Sequence, residues 1–304
     1  MDEWEVSGSS IIRGGFARRF ILFLVHSRFL FDRFIIKREY AGDDQEGVWS
    51  LKELCTSGAG YKKKAYYANT RLRYENEWEK TYAPRNKECL MIQSALRVSY
   101  TSPKVMHWIT ELLAWLFDYE SELPKLAEKA ECIAAEAVAE GFFEKALEEM
   151  GAYDLQEYKS EDYAFGVRTP HIVFNYLDYL LWKEDKGQDK KYTDFVFEFR
   201  NSVEHWYPQH PSEGTFEAWD GIDTFGNLCI ISRSVNSKFS NLSPESKMKS
   251  YKKMVQKGSL KLRIMGDIIE RGTSETWRLS ACAKHEEEMI SLLCEAVQEA
   301  IEEE

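Results

Sequence analysis

Two segments in the second half of the chain decide the fold. Residues 195–209 read FVFEFRNSVEHWYPQ, and residues 225–236 read FGNLCIISRSVN after an intervening loop. In the first segment phenylalanines alternate with other residues, which is the two-residue period of a strand. The second segment contains a short apolar run that is entered through a glycine. The pattern predicts strands near 194–205 and 227–233.

A helix is expected after these strands. Asn236 follows Asn227 by nine residues and precedes a helix-compatible stretch that begins near Glu245. Most of the remaining chain carries the apolar period of amphipathic helices, which we expect over 16–38, 86–97, 102–118, 122–150 and 171–183. Residues 40–83 are expected to be irregular. The predicted fold class is α+β, mainly helical with a small ββα unit.

Length and composition set the size and class of the protein. The chain has 304 residues, of which 44% are hydrophobic, so it can form a sizeable core in roughly two domains. We expect a helical region over 1–165 and a second domain over 166–304. This composition excludes wholesale disorder and disulfide-stapled miniature folds.

Cysteines and the N-terminus bear on the compartment. None of the six cysteines forms a CxxC pair, which excludes a zinc ribbon and a thioredoxin-like redox site. The first residues are acidic where a signal peptide is basic. The longest early apolar run, residues 20–25, is too short to span a membrane. We therefore expect a soluble cytoplasmic protein with no membrane partner.

The order strand, strand, helix, with its polar residues, resembles the ββα-metal finger of HNH endonucleases. More specifically, EHxxPQ, GNL, a later Asn and a Lys resemble the C-terminal nuclease domain of GmrSD-type modification-dependent restriction systems. The resemblance is most specific over 170–250. It extends to residues 174–182, FNYLDYLLW, and to the helical stretch 90–113 around RVSYTSP.

One part of the full-length family is missing. Its members carry an N-terminal nucleotide-binding domain with an Asp-Gly-Gln-Gln-Arg signature, and neither this signature nor a GxxxxGK[ST] motif occurs in the sequence. The resemblance therefore implies a nuclease half alone. It leaves open a separate nucleotide-binding subunit as a partner.

The resemblance assigns roles that chemistry supports. His205 is the general base, because a histidine can take a proton from water near neutral pH. Glu204 and Asn236 hold Mg²⁺ (or Mn²⁺), since this ion prefers oxygen ligands and takes others from water and phosphate. Asn227 braces the loop as the third catalytic residue. Because neighbours on a regular strand face opposite sides, Glu204 and His205 can share a site only if the strand ends or bulges there.

A basic stretch follows the motif. Residues 233–263 contain nine basic residues and one acid, although the whole chain has a net charge of −11. Such a cluster is typical of phosphate-backbone binding. We expect DNA contacts from Arg233, Lys238, Lys247, Lys249, Lys252 and Lys253.

Three functions are compatible with the sequence. The first is a metal-dependent HNH endonuclease that hydrolyses DNA phosphodiester bonds in restriction or anti-phage defence, the biological role being implied by the resemblance alone. The second is a non-catalytic DNA- or partner-binding subunit of a defence complex. The third is an RNase that uses the same finger.

Overall fold

The computed structural model describes residues 10–40, 47–70, 84–119, 125–143, 164–187, 191–212, 219–272 and 277–302. Within these ranges the helices are α1 Ser10–Phe34, α2 Pro84–Ser99, α3 His107–Asp118, α4 Leu126–Phe142, α5 His171–Gly187, α6 Arg233–Phe239, α7 Pro244–Gln256, α8 Leu260–Arg271 and α9 Leu279–Glu302. The strands are β1 Lys37–Glu39, β2 Val48–Ser50, β3 Lys52–Ser57, β4 Lys64–Asn69, β5 Ser202–His205 and β6 Leu228–Ile231. The prediction of a mainly helical α+β protein is confirmed.

Backbone contacts divide the chain into two compact units. One comprises Met1–Leu90 with His107–Ala127, and the other Met91–Met106 with Glu128–Glu304. The predicted division near residue 165 adjoins residues 144–163, which lie outside the described residues, and it stays a prediction. No helix in the described ranges is long and apolar enough to cross a membrane.

The first unit contains two small antiparallel sheets, β1 with β2 and β3 with β4. The expectation that residues 40–83 are irregular is therefore wrong for the described part of that range. These strands are short and mostly exposed or half-buried. Strands without a buried face carry no apolar alternation, which explains why the sequence pattern does not reveal them.

The second unit is built around α5. Residues 172–182 of this helix are all buried, as expected for a helix that is apolar on every side. It packs against α8, α9 and β6, so the strand that carries part of the motif rests on the centre of the core.

The β5–β6 hairpin lies where the sequence predicts two strands. The ladder pairs Ser202 with Ile231 and His205 with Leu228, and β5 is limited to four residues. Phe195 and Phe197 are buried, but residues 195–201 form no ladder. Their alternation therefore reflects packing and not strand pairing. The strand–strand–helix order is completed by α6.

Asp178 of α5 caps the start of α8. Ser259, at the N-cap position, makes no side-chain cap bond, and Asp178 Oδ1 instead accepts from the Lys261 backbone N–H at 3.0 Å. Asp178 Oδ2 is buried without a hydrogen-bond partner among the described residues. Burial raises the pKa of Asp178 to about 6, from an ordinary 3.8.

This shift predicts a pH dependence of stability. Because the pKa is higher in the fold, the stabilising contribution of Asp178 is present below about pH 4 and is lost as pH rises through about 6. Asp178→Asn stays neutral throughout. We expect the free energy of unfolding of the variant, minus that of the parent, to increase between pH 4 and 7 in urea titrations. The exposed Asp118→Asn is the control, and an equal pH trend in both variants would contradict the assignment.

Candidate functional site

Asn227 joins the chain after β5 to the chain before β6. Its side chain is fully buried. Oδ1 accepts from the Tyr207 backbone N–H at 2.8 Å and from the Trp277 indole at 3.2 Å, while Nδ2 donates to the carbonyls of Tyr207 and Ile222, both at 3.0 Å. The predicted brace is thus a fully satisfied amide that fixes the segment following His205.

Glu204 forms a buried ion pair with Lys247. The Lys247 ammonium lies 2.8 Å from Glu204 Oε1 and donates to the carbonyls of His205 at 2.8 Å and Trp206 at 2.9 Å. Lys247 itself is fully buried. This ammonium therefore ties α7 to the end of β5 at three acceptors.

A second buried lysine performs the same task on the other strand. Lys261 Nζ donates to the carbonyls of Phe225, Gly226 and Leu228 at 2.9, 3.3 and 2.8 Å. A glycine is required at position 226 for the close approach of α9, because a Cβ there would lie 2.6 Å from the Cys282 carbonyl. The turn into β6 is therefore fixed from α8 and α9 together.

His205 is held through its ring by Asp223. The distance between Nε2 and Asp223 Oδ1 is 2.6 Å. The same carboxylate oxygen accepts from Gln209 Nε2 at 3.1 Å. The His205 side chain is 8% exposed and that of Asp223 is 45% exposed, so the pair lies at the edge of the site with one partner in contact with water.

The helix predicted near Glu245 is α7, which begins at Pro244; Asn236 precedes it but lies inside the short helix α6, which was not predicted. The helix begins at Arg233 because Ser232 caps it, accepting from the Val235 N–H at 3.4 Å. Asn236 Nδ2 donates to Ser202 Oγ on β5. Since Ser202 and Glu204 are two residues apart on one strand, they share a face, and Asn236 contacts that face.

The side chains of Glu204 and His205 contact different partners. The β5–β6 ladder pairs four consecutive residues without a bulge, and β5 ends at His205. In the described part of the chain the ring of His205 bonds to Asp223 and not to Glu204 or Asn236. The strand thus ends where the sequence predicts a break, with one side chain on each face.

Burial governs the electrostatics of the hairpin. It raises the pKa of Glu204 and lowers that of Lys247, and the opposite charge of each partner offsets part of the change. It also lowers the pKa of Lys261 to about 8 and raises that of the Cys229 thiol to about 12. Cys229 is therefore an inert core thiol and not a nucleophile.

The basic residues of the predicted DNA contact divide into two groups. Lys247 is corrected, because a fully buried ammonium with three acceptors cannot reach a phosphate. The others are exposed: Arg233, Lys238, Lys249, Lys252 and Lys253. Lys252 forms an ion pair with Glu270 at 2.6 Å, which reduces its free charge. We call the exposed set the basic surface.

Comparison with known proteins agrees with the motif. Residues 152–292 match the family model of GmrSD restriction endonucleases, C-terminal domain. This part of the chain is similar to a GmrSD C-terminal domain. The family is that of restriction-type nucleases, as the motif over 170–250 predicted. No match was found among curated proteins or among solved structures.

Sequence reasoning missed three residues that hold this hairpin and its histidine. Asp223 lies in a loop, and its contact with His205 spans 18 positions. Lys261 binds carbonyls at least 33 positions away, and Trp277 reaches Asn227 across 50. The available signal was weak: Asp223 is an acid in a turn just before GNL.

Lys247→Met tests the buried clamp. Removing one partner of a buried ion pair leaves the other unpaired and costs ~3–5 kcal/mol. We expect a loss of that size in the free energy of unfolding, measured by chemical denaturation. The matched control is Lys249→Met, exposed two residues away on the same helix, for which we expect a change within ~0.5 kcal/mol.

The double variant Lys247→Met with Glu204→Gln should recover part of the loss, because no unpaired charge remains. Equal stability of the Lys247 and Lys249 variants would show that the ion pair is not needed for the fold.

Proposed function

We propose that this protein is a metal-dependent endonuclease of the HNH type that hydrolyses phosphodiester bonds of DNA. The observation that supports the proposal is the ββα order itself: β5 ends at Glu204 and His205, Asn227 braces the turn into β6, and Asn236 lies on the helix that follows. The family match to restriction endonucleases supports the reaction class. Restriction or anti-phage defence is the biological role that fits this class.

His205 acts as the general base in this proposal. Its ring takes one proton from a water molecule, and the resulting hydroxide attacks the phosphorus atom. The bond from phosphorus to the leaving sugar oxygen breaks, and that oxygen takes a proton from solvent. The carboxylate partner at 2.6 Å and the buried backbone around Asn227 keep the ring in one orientation.

Glu204 and Asn236 are the residues that would hold Mg²⁺ or Mn²⁺. Lys247 occupies Glu204 Oε1 and Asn236 uses its amide nitrogen on Ser202, so a carboxylate oxygen and an amide oxygen are left as hard ligands. Among the described residues no group of three or more His, Cys, Asp or Glu forms a metal cage. A site of two protein oxygens suits an ion that retains waters and binds phosphate, where it would neutralise charge developing on the phosphoryl oxygens.

The basic surface is the proposed DNA contact. Its residues are exposed on α6 and α7, the two helices that follow β6. Charges there neutralise phosphates without reading the bases, so binding should be tight at low salt and independent of sequence.

A non-catalytic binding subunit is the alternative. The Glu204–Lys247 ion pair favours it, because a neutralised carboxylate attracts a cation less strongly. Either proposal is compatible with a separate subunit that carries the nucleotide-binding signature as a partner. Either is also compatible with a cytoplasmic location. Cleavage assays on DNA and RNA in parallel separate the nuclease from this alternative and from an RNase.

His205→Ala tests the chemistry. We expect DNA cleavage in Mg²⁺ to fall by ~10²–10⁴-fold, the range for a positioned general base, with DNA affinity nearly unchanged. The control is His210→Ala, an exposed histidine five residues further along the chain. Cleavage should stop in EDTA for all forms. Full cleavage by a folded His205→Ala protein would overturn the mechanism in favour of the binding subunit.

Charge reversal on α7 tests the DNA contact. The double variant Lys249→Glu with Lys253→Glu should weaken DNA binding and flatten its dependence on salt concentration, because fewer counterions are released. Lys253 is chosen in preference to Lys252, since Lys252 has an acidic partner. Lys62→Glu with Lys104→Glu, exposed positions outside the basic surface, is the charge-matched control. An equal loss of affinity in both would show that only net charge matters.

A further inference from the structure

Resting on the proposed function, we propose that Asp223 is a positioning residue for His205. It holds the imidazole as the tautomer with the hydrogen on Nε2, so that Nδ1 is the nitrogen that takes the proton from water. Asp223 touches neither substrate nor metal in this proposal and acts only through the ring.

The argument begins with hydrogen-bond roles. The Asp223 side chain is 45% exposed, and an ionised carboxylate accepts hydrogen bonds without donating any. Its Oδ1 lies 2.6 Å from Nε2 of His205, so Nε2 must be the donor. A neutral imidazole has only one N–H. Nδ1 therefore has a lone pair, which is what a general base requires.

Asp223 is itself held by two further hydrogen bonds, one to its side chain and one to its backbone. Gln209 Nε2 donates to Asp223 Oδ1 at 3.1 Å, which leaves the oxygen shared between two donors. The backbone carbonyl of Asp223 accepts from the Gly166 N–H at 3.1 Å. These bonds fix both ends of the residue, whereas an ordinary loop aspartate is free to rotate.

Gly166 provides the space for this arrangement. Its φ is +56°, in the left-handed region that favours glycine. A Cβ at that position would lie 2.7 Å from Asp223 Oδ1 and 2.9 Å from its Cγ. Any larger residue would push the carboxylate away from His205. A backbone conformation reserved for glycine therefore abuts the side chain that orients the ring.

Asn227 completes the constraint from the other side. It bonds to the backbone of Tyr207 and to the Ile222 carbonyl. Tyr207 lies two residues after His205, and Ile222 lies one residue before Asp223. The two members of the pair are thus joined by their ring–carboxylate bond and by the same buried amide. This separates them from a chance contact between a histidine and a surface acid.

The first experiment reads the tautomer directly. In protein labelled with ¹⁵N-histidine, two-bond ¹H–¹⁵N correlation spectra distinguish a hydrogen on Nε2 from one on Nδ1, and the spectrum of His205→Gln assigns the signals. We expect His205 to carry its hydrogen on Nε2 in the parent and in Asp220→Asn, an exposed aspartate of the same loop. Asp223→Asn should lose this preference, because an amide can donate as well as accept. A hydrogen on Nδ1 in the parent, or an unchanged spectrum in Asp223→Asn, would overturn the proposal.

The second experiment links the tautomer to turnover. Asp223→Asn should lower kcat for DNA cleavage by ~10²-fold or more with KM nearly unchanged, since an incorrect tautomer removes the base without affecting binding. Asp223→Glu should recover part of the rate, and Asp220→Asn should behave as the parent. Thermal unfolding at a similar temperature in the three variants excludes misfolding, and equal loss in Asp223→Asn and Asp223→Glu would contradict a positioning role.

The two proposals fail separately. If His205→Ala cleaves fully, the nuclease mechanism is overturned while the spectrum still decides the tautomer. If His205→Ala is inactive and Asp223→Asn cleaves at the parental rate, the nuclease stands and the role of Asp223 is refuted.

Discussion

The hairpin depends on the buried ammonium of Lys247. One cation satisfies the Glu204 carboxylate and the carbonyls of His205 and Trp206, at the point where β5 ends and the chain turns. Without it, three acceptors would be buried unpaired, each at a cost of ~1–3 kcal/mol. Lys261 does the same for the carbonyls that enter β6. Two short strands, which alone would be marginal, are thereby fixed from α7 and α8.

This design gives Glu204 two tasks. A buried carboxylate without a partner would be costly, and Lys247 removes that cost through one of its oxygens. The same neutralisation reduces the attraction of the carboxylate for a cation in the proposed metal site. A weakly held ion that arrives with the phosphate of its substrate fits such a carboxylate better than a permanently bound one. The Glu204 side chain therefore stabilises the fold through one oxygen and is the proposed metal ligand through the other.

The sequence predicts those features that depend on residues close together in the chain, and fails for contacts between residues that are far apart in it. The helix α5 and the strand β6 could be predicted, because an apolar pattern is a local property of their residues. The strand β5 was expected from the alternating phenylalanines before it, which are buried without pairing in a ladder. The brace at Asn227 could also be predicted from the order of the motif. Lys247 was wrongly assigned to the surface, since nothing local distinguishes a lysine that bonds to carbonyls 41 and 42 positions away from a solvated one.

Composition gives a wrong picture of the basic surface for the same reason. The basic stretch 233–263 reads as one cluster, but two of its lysines, Lys247 and Lys261, are fully buried and hold the hairpin. The strands β3 and β4 were missed because neither has a buried face. In each case the sequence reports the kind of side chain, whereas burial is decided by elements that are distant along the chain.

The helix α7 connects the proposed chemistry to the proposed binding. Lys247 is directed into the hairpin and Lys249 and Lys253 are exposed, so one helix carries both the internal clamp and part of the basic surface. Lys247 bonds to the carbonyl of His205 itself, so α7 is tied directly to the residue that is proposed as the general base. A DNA strand bound along α7 would therefore meet His205 at a fixed distance. In the proposed reaction such a connection would reduce the orientational freedom that DNA and base must lose before they react.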